Sequence, residues 1–217
     1  MKDFARFTLH EMIAGGVWGS RSTVEDTHHF AALAIRNGLS LFYKQRHEND
    51  PFENLTKISK FSKKHIANEG LKTKGAETWG FLRFLIERLR RPPIIRGGKL
   101  LEAGLNLVRL VEIWKNADFM LTDRETADCF NCWNQFLCLT DDLEDLETPK
   151  RHAMAHLLKD MAYLGNPTRY ANWLDESYNR MLKNCCRTVS QATFESFLLV
   201  RMSYLLSHER SGLKRKA

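Results

Sequence analysis

Apolar residues in this chain recur at three- and four-residue intervals, and that period dictates a helical fold. From Ala76 to Arg91 the positions Trp79, Leu82, Leu85, Ile86 and Leu89 fall on one side of a helix. Pro92-Pro93 stops it, because proline lacks the amide proton and its ring clashes with the preceding turn. Leu100 to Trp114 repeats the pattern. Nearer the start, Phe4, Phe7, Leu9 and Met12 open an amphipathic segment that ends at Gly15-Gly16, and Val24 to Tyr43 forms a second, interrupted by Gly38. Thr122 with Glu125 three residues later reads as a capping box opening a helix through Leu139. Further helices are expected over 150–164, 168–186 and 190–208, the first two parted by Gly165 at a C-cap and Pro167 in the next first turn.

No stretch alternates with period two over enough residues to argue for a sheet, and short apolar runs such as Leu198-Leu199-Val200 lie inside longer helical patterns. The expected fold is all-α, an irregular multi-helix bundle of six to nine helices forming a single domain over 1–217. Residues 47–75, rich in Lys, Asn, Ser and Glu around Pro51, Gly70 and Gly75, are expected to be an internal linker or a short basic helix. Residues 209–217 are expected to form a flexible basic tail, and Lys214-Arg215-Lys216 within it also fits a nuclear import signal.

A chain of 217 residues with 43% hydrophobic content can bury a real core. It holds no run of eighteen apolar residues, and its opening Met1-Lys2-Asp3-Phe4-Ala5-Arg6 lacks the charged-then-apolar order of a signal peptide. The expectation is a soluble intracellular protein with no membrane partner. Five cysteines, Cys185 and Cys186 adjacent, make a poor disulfide framework at this size, so reduced thiols are expected.

The formal charge of +7 is localised. Residues 1–50 carry six basic and six acidic side chains, residues 51–100 twelve and four, and residues 101–217 fifteen and sixteen. All of the excess therefore lies in one fifty-residue segment. Lys57, Lys60, Lys63 and Lys64 recur at helical spacing there, followed by Arg83, Arg88, Arg90, Arg91, Arg96 and Lys99. Such a concentration suits DNA or RNA, because each cation that neutralises a phosphate releases condensed counterions. A solubilising surface is the plainer reading of the same residues.

Two constellations have metal-ligand spacing. Cys129-Phe130-Asn131-Cys132 followed by His152 and His156 supplies the C-x2-C and H-x3-H halves of a zinc site, although nineteen residues separate them and the cysteines lie in an apolar helix. Asp141-Asp142-Leu143-Glu144-Asp145 has the spacing with which helical isoprenoid synthases hold magnesium against a diphosphate. Such an enzyme also needs a facing acidic helix and a deep apolar pocket; otherwise the run is an acidic helix end or loop.

The stretch from Lys150 to Lys183 is the third constellation. His152 and His156 share a helix face, Gly165-Asn166-Pro167 breaks the chain, and Glu176, Arg180 and Lys183 then recur at i, i+4 and i+7. Together with His156-Leu157, Tyr170 and Asp175-Glu176, this order resembles the C-terminal helical region of DDE-type cut-and-paste transposases, particularly CACTA-type ones, over residues 74–205. It departs from them in having Asn166-Pro167 where they have Pro-Val, and Glu176-Ser177 where they have Glu-Arg. The resemblance implies that Glu176 is the helix carboxylate of a two-metal magnesium site, with Arg180 and Lys183 gripping the adjacent phosphate and His152 and His156 close to the chemistry. It also implies two strand-borne aspartates that this chain lacks, so a protein partner would have to supply the missing catalytic part.

The function expected from these readings is a nucleic-acid-associated helical module, derived from a transposase-like protein and not catalytic alone. Its phosphate contacts are expected from Lys57, Lys60, Lys64, Arg88, Arg90, Arg91, Arg180 and Lys183. The alternatives are a helical protein-interaction domain with no nucleic-acid role, and a magnesium-dependent diphosphate enzyme using Asp141–Asp145. Each site residue also has a plain reading: the histidines as helix hydrogen-bonding groups, and Asp175 and Glu176 as anions favoured near a helix N-terminus.

Overall fold

The computed structural model describes residues 1–50, 53, 55–66, 71–91, 97–170 and 200. Among them every regular element is helical: α1 (Lys2–Ala14), α2 (Val24–Asn49), α3 (Gly75–Leu89), α4 (Gly97–Asn116), α5 (Asp123–Leu139), α6 (Pro149–Leu164) and the single turn α7 (Pro167–Tyr170). Short 3-10 turns occupy Lys63–His65 and Glu144–Leu146. Where the sequence leads one to expect a single domain, the chain separates into two compact units, Met1–Asn166 and Pro167–Ala217. Of the second unit the described part is α7 and Val200, so the helices expected over 168–186 and 190–208 lie almost wholly outside the described residues.

α3 is the axis of the first unit. Its residues Thr78, Trp79, Gly80, Phe81, Leu82, Phe84, Leu85, Ile86 and Leu89 are buried on all sides, the signature of a helix surrounded by others. α1, α2 and α4 each pack against it. Phe42 of α2 meets Phe84 edge to face at 5.8 Å. The α4 contact depends on Gly104, where an added Cβ would come within 2.8 Å of Ile86 Cγ1, so only glycine lets the two helices approach this closely. α4 and α5 form the most extensive helix pair, and Phe136 of α5 meets Phe4 of α1 edge to face at 5.4 Å.

Helix ends follow local chemistry. The Thr122 hydroxyl accepts from the Glu125 amide at 3.2 Å while the Glu125 carboxylate accepts from the Thr122 amide at 2.8 Å, the reciprocal box read from the sequence. Thr23 caps α2 by accepting from the Asp26 amide at 3.1 Å. α2 runs straight through Gly38 and on to Asn49, because Leu39, Phe42 and Tyr43 are buried beyond the glycine and packing outweighs its low helix propensity. The stretch 47–75 is anchored where it is described: Phe61, Ile66 and Leu71 are buried, and Phe61 stacks on Phe81 at 5.3 Å between ring centroids.

Candidate nucleic-acid interface and histidine pair

The basic segment meets α3 through that Phe61–Phe81 stack. Lys57, Lys60 and Lys64 on either side of Phe61 are exposed, as are Arg90 and Arg91 just beyond the end of α3, and none of the five pairs with an acidic side chain among the described residues. Arg90 stands nine residues after Phe81, about 13 Å further along the axis of α3. The exposed cations thus form two groups beside one rigid helix. Arg88 does not belong with them: it is half-buried, and its Nε is enclosed without a hydrogen-bond partner. Three other cations of the segment are held in ion pairs. Lys63 pairs with Glu25 at 2.8 Å, Lys99 approaches Asp142 at 3.5 Å, and Arg83 pairs with Glu53 and, at 3.9 Å, with Glu112.

Arg83 lies in a polar cleft of about 520 Å³ that the sequence reading missed. Arg46 reaches Glu53 at 4.0 Å and Glu87 at 3.8 Å, and the Lys115 ammonium sits 4.4 Å from the centre of the Trp79 ring. Desolvation first, then neighbouring Arg46, lowers the Arg83 pKa; burial and Arg83 lower that of Lys115. Crowded cations, interleaved acids and the partnerless Trp79 Nε1 fit a tie between α2, α3 and α4. The signal in the sequence was faint, because these residues come from four separate stretches.

His152 and His156 stand on one exposed face of α6, their Nε2 atoms 2.9 Å apart and their rings edge to face at 4.5 Å. The cysteine half of the expected zinc site is elsewhere in kind: Cys129 and Cys132 are buried in α5, and burial pushes the Cys129 thiol up to about 12, further raised by Cys132. Among the described residues no group of three or more His, Cys, Asp or Glu side chains is placed to hold a metal ion. The zinc halves are therefore not brought together. Asp141, Asp142, Glu144 and Asp145 point outward from a turn whose Leu143 and Leu146 are buried, and they line none of the principal cavities. Among the described residues the diphosphate reading thus finds neither a pocket nor a carboxylate cluster at this turn.

The Gly165-Asn166 break is built for structure. Gly165 has φ +78° and ψ −149°, a region reserved for glycine, and an added Cβ would collide with the Phe119 carbonyl oxygen. Fully buried Asn166 then directs its amide nitrogen at the carbonyl oxygens of Trp114, Ala117 and Asp118, at 2.7, 3.1 and 3.1 Å, and its own backbone N–H donates to Phe119 at 2.7 Å. One side chain closes the C-terminal end of α4. Glu176, Arg180 and Lys183, the remaining expected site residues, lie outside the described residues. Compared with family profiles, curated proteins and solved structures, the chain matches none of them.

Proposed function

We propose that this chain is a helical module that binds nucleic acid through its phosphates and has no catalysis of its own. The observation that carries this reading is the set of five exposed cations beside α3, Lys57, Lys60, Lys64, Arg90 and Arg91, which pair with no acid among the described residues, while Lys63, Arg83 and Lys99 are held in ion pairs. Each such cation that neutralises a phosphate releases counterions condensed on the nucleic acid, a main source of free energy in phosphate binding. The expected kinship with transposases and a nuclear location belong to the same reading, and magnesium would enter only with a partner completing a site around Glu176.

The test is binding of an oligonucleotide of ~20 residues, followed by fluorescence anisotropy at low salt. Charge reversal at Lys57, Lys60, Lys64 and Arg91 is expected to abolish binding while leaving the helical circular dichroism unchanged. Undiminished binding by that variant would overturn the reading. With magnesium or manganese the parent chain is expected to leave the oligonucleotide uncut, since one carboxylate does not organise two metal ions; cleavage lost in Glu176→Gln would make it an enzyme.

A second reading has its own observation. Phe30, Leu33 and Leu41 are exposed on α2, on the side opposite buried Ile35, Leu39 and Phe42. A protein partner on that face would bind with little dependence on salt, and Leu33→Glu with Leu41→Glu would release it.

A further inference from the structure

We propose that His152 and His156 form a two-ligand site for a late first-row divalent cation, with copper(II) and nickel(II) preferred to zinc(II). The pair is separate from the phosphate-binding reading above and does not depend on it.

Spacing four residues apart on α6 puts both imidazoles on one exposed face, and their Nε2 atoms face each other at 2.9 Å. Nitrogen–metal bonds are about 2.0–2.1 Å, so two nitrogens bound side by side at a right angle stand about 2.9 Å apart. A tetrahedral angle would require about 3.3 Å from the same bond lengths. The observed separation thus matches neighbouring positions of a square-planar or octahedral ion, the geometry of copper(II) and nickel(II). The helix backbone holds the two imidazoles on one face before any ion arrives, so binding has only their side-chain torsions to order.

The surroundings define the site further. With no third His, Cys, Asp or Glu grouped at the pair among the described residues, the ion would keep solvent in its remaining positions. Two imidazoles and no carboxylate reject magnesium and calcium, which require oxygen ligands. Lys159, exposed on the same side of α6 one turn past His156, adds positive charge, which disfavours capture by charge alone and leaves directed nitrogen ligation as the source of affinity. Asp160 is one turn beyond His156 and exposed.

The experiment is calorimetric titration of the full chain with nickel(II) chloride, repeated with copper(II), zinc(II) and magnesium. The parent is expected to bind one nickel ion through this pair, in the order copper, nickel, zinc, with no magnesium uptake. His152→Gln and His156→Gln, which preserve the helix, are each expected to weaken nickel binding by about tenfold or more, the gain a tethered second ligand supplies. His47→Gln, an exposed histidine on α2, is expected to change nothing. Paramagnetic nickel is expected to broaden the imidazole proton resonances of His152 and His156 together. Unchanged nickel affinity in either glutamine variant, or broadening of one ring without the other, would overturn the site and leave the 2.9 Å approach as a hydrogen bond between the rings.

Discussion

Asn166 shows how much one buried side chain can organise. Its amide closes three carbonyl groups at the end of α4, contacts made across 48 to 52 residues of sequence. Asn166→Ala removes the donor that these three carbonyls share and is expected to cost about 2–3 kcal/mol in urea unfolding. Asn166→Asp is expected to cost more, because a carboxylate would face the same carbonyl oxygens. Equal stability of Asn166→Ala and the parent would remove the capping role. Gly165 could be read from the sequence as a C-cap, since glycine after an apolar run is a local signal. The role of Asn166 could not, because its partners are set by how α4 and α6 come together. Thiol chemistry is also decided residue by residue. Cys138 is exposed whereas Cys129 is buried with its thiol pushed up to about 12. Iodoacetamide at about pH 8 is therefore expected to label Cys138 in the native chain and to spare Cys129 until denaturant is added, as read by peptide mass spectrometry.

Among elements, those with a local signature were the legible ones. The Thr122–Glu125 box, Gly165 at the end of α6 and the apolar stripe of α3 each placed a helix within a few residues of its observed limits. The misreading at Gly38 came from treating a weak helix former as a break, when burial of Leu39 and Phe42 decides the matter. The linker expected over 47–75 missed the anchoring of Phe61 for a related reason: composition says little about which single aromatic residue will reach the core. The capping box also carries a pH dependence. Hydrogen bonds from Thr122, the backbone amide first, hold the Glu125 carboxyl below the ordinary carboxylate value of 4.5. A carboxyl with a lowered folded pKa stabilises the fold fully above its unfolded value and loses that contribution as pH falls through the folded value. Glu125→Gln is accordingly expected to lower the urea midpoint at about pH 7 and to match the parent at about pH 3. A deficit that persists unchanged in acid would mean that the box acts without the charge.

At the scale of the molecule, composition and period sufficed for an all-helical architecture, and no described helix is long and apolar enough to cross a membrane. The position of the excess charge was legible too, but its availability was not. Sequence alone could not separate Arg83 and Lys63, which are bound in ion pairs, or half-buried Arg88, from exposed Lys57, Lys60 and Lys64, which pair with no acid among the described residues. That division rests on contacts made across the fold, such as the 38 residues between Glu25 and Lys63. It also yields the most direct measurement of phosphate binding, the slope of log affinity against log salt for a single-stranded oligonucleotide of ~20 residues. Each phosphate contact contributes a slope of about −0.7, so Lys57→Ala, Lys60→Ala and Lys64→Ala combined are expected to flatten the parent slope by about 2. A parent slope near zero, or one that the triple substitution leaves unchanged, would contradict phosphate binding by these cations.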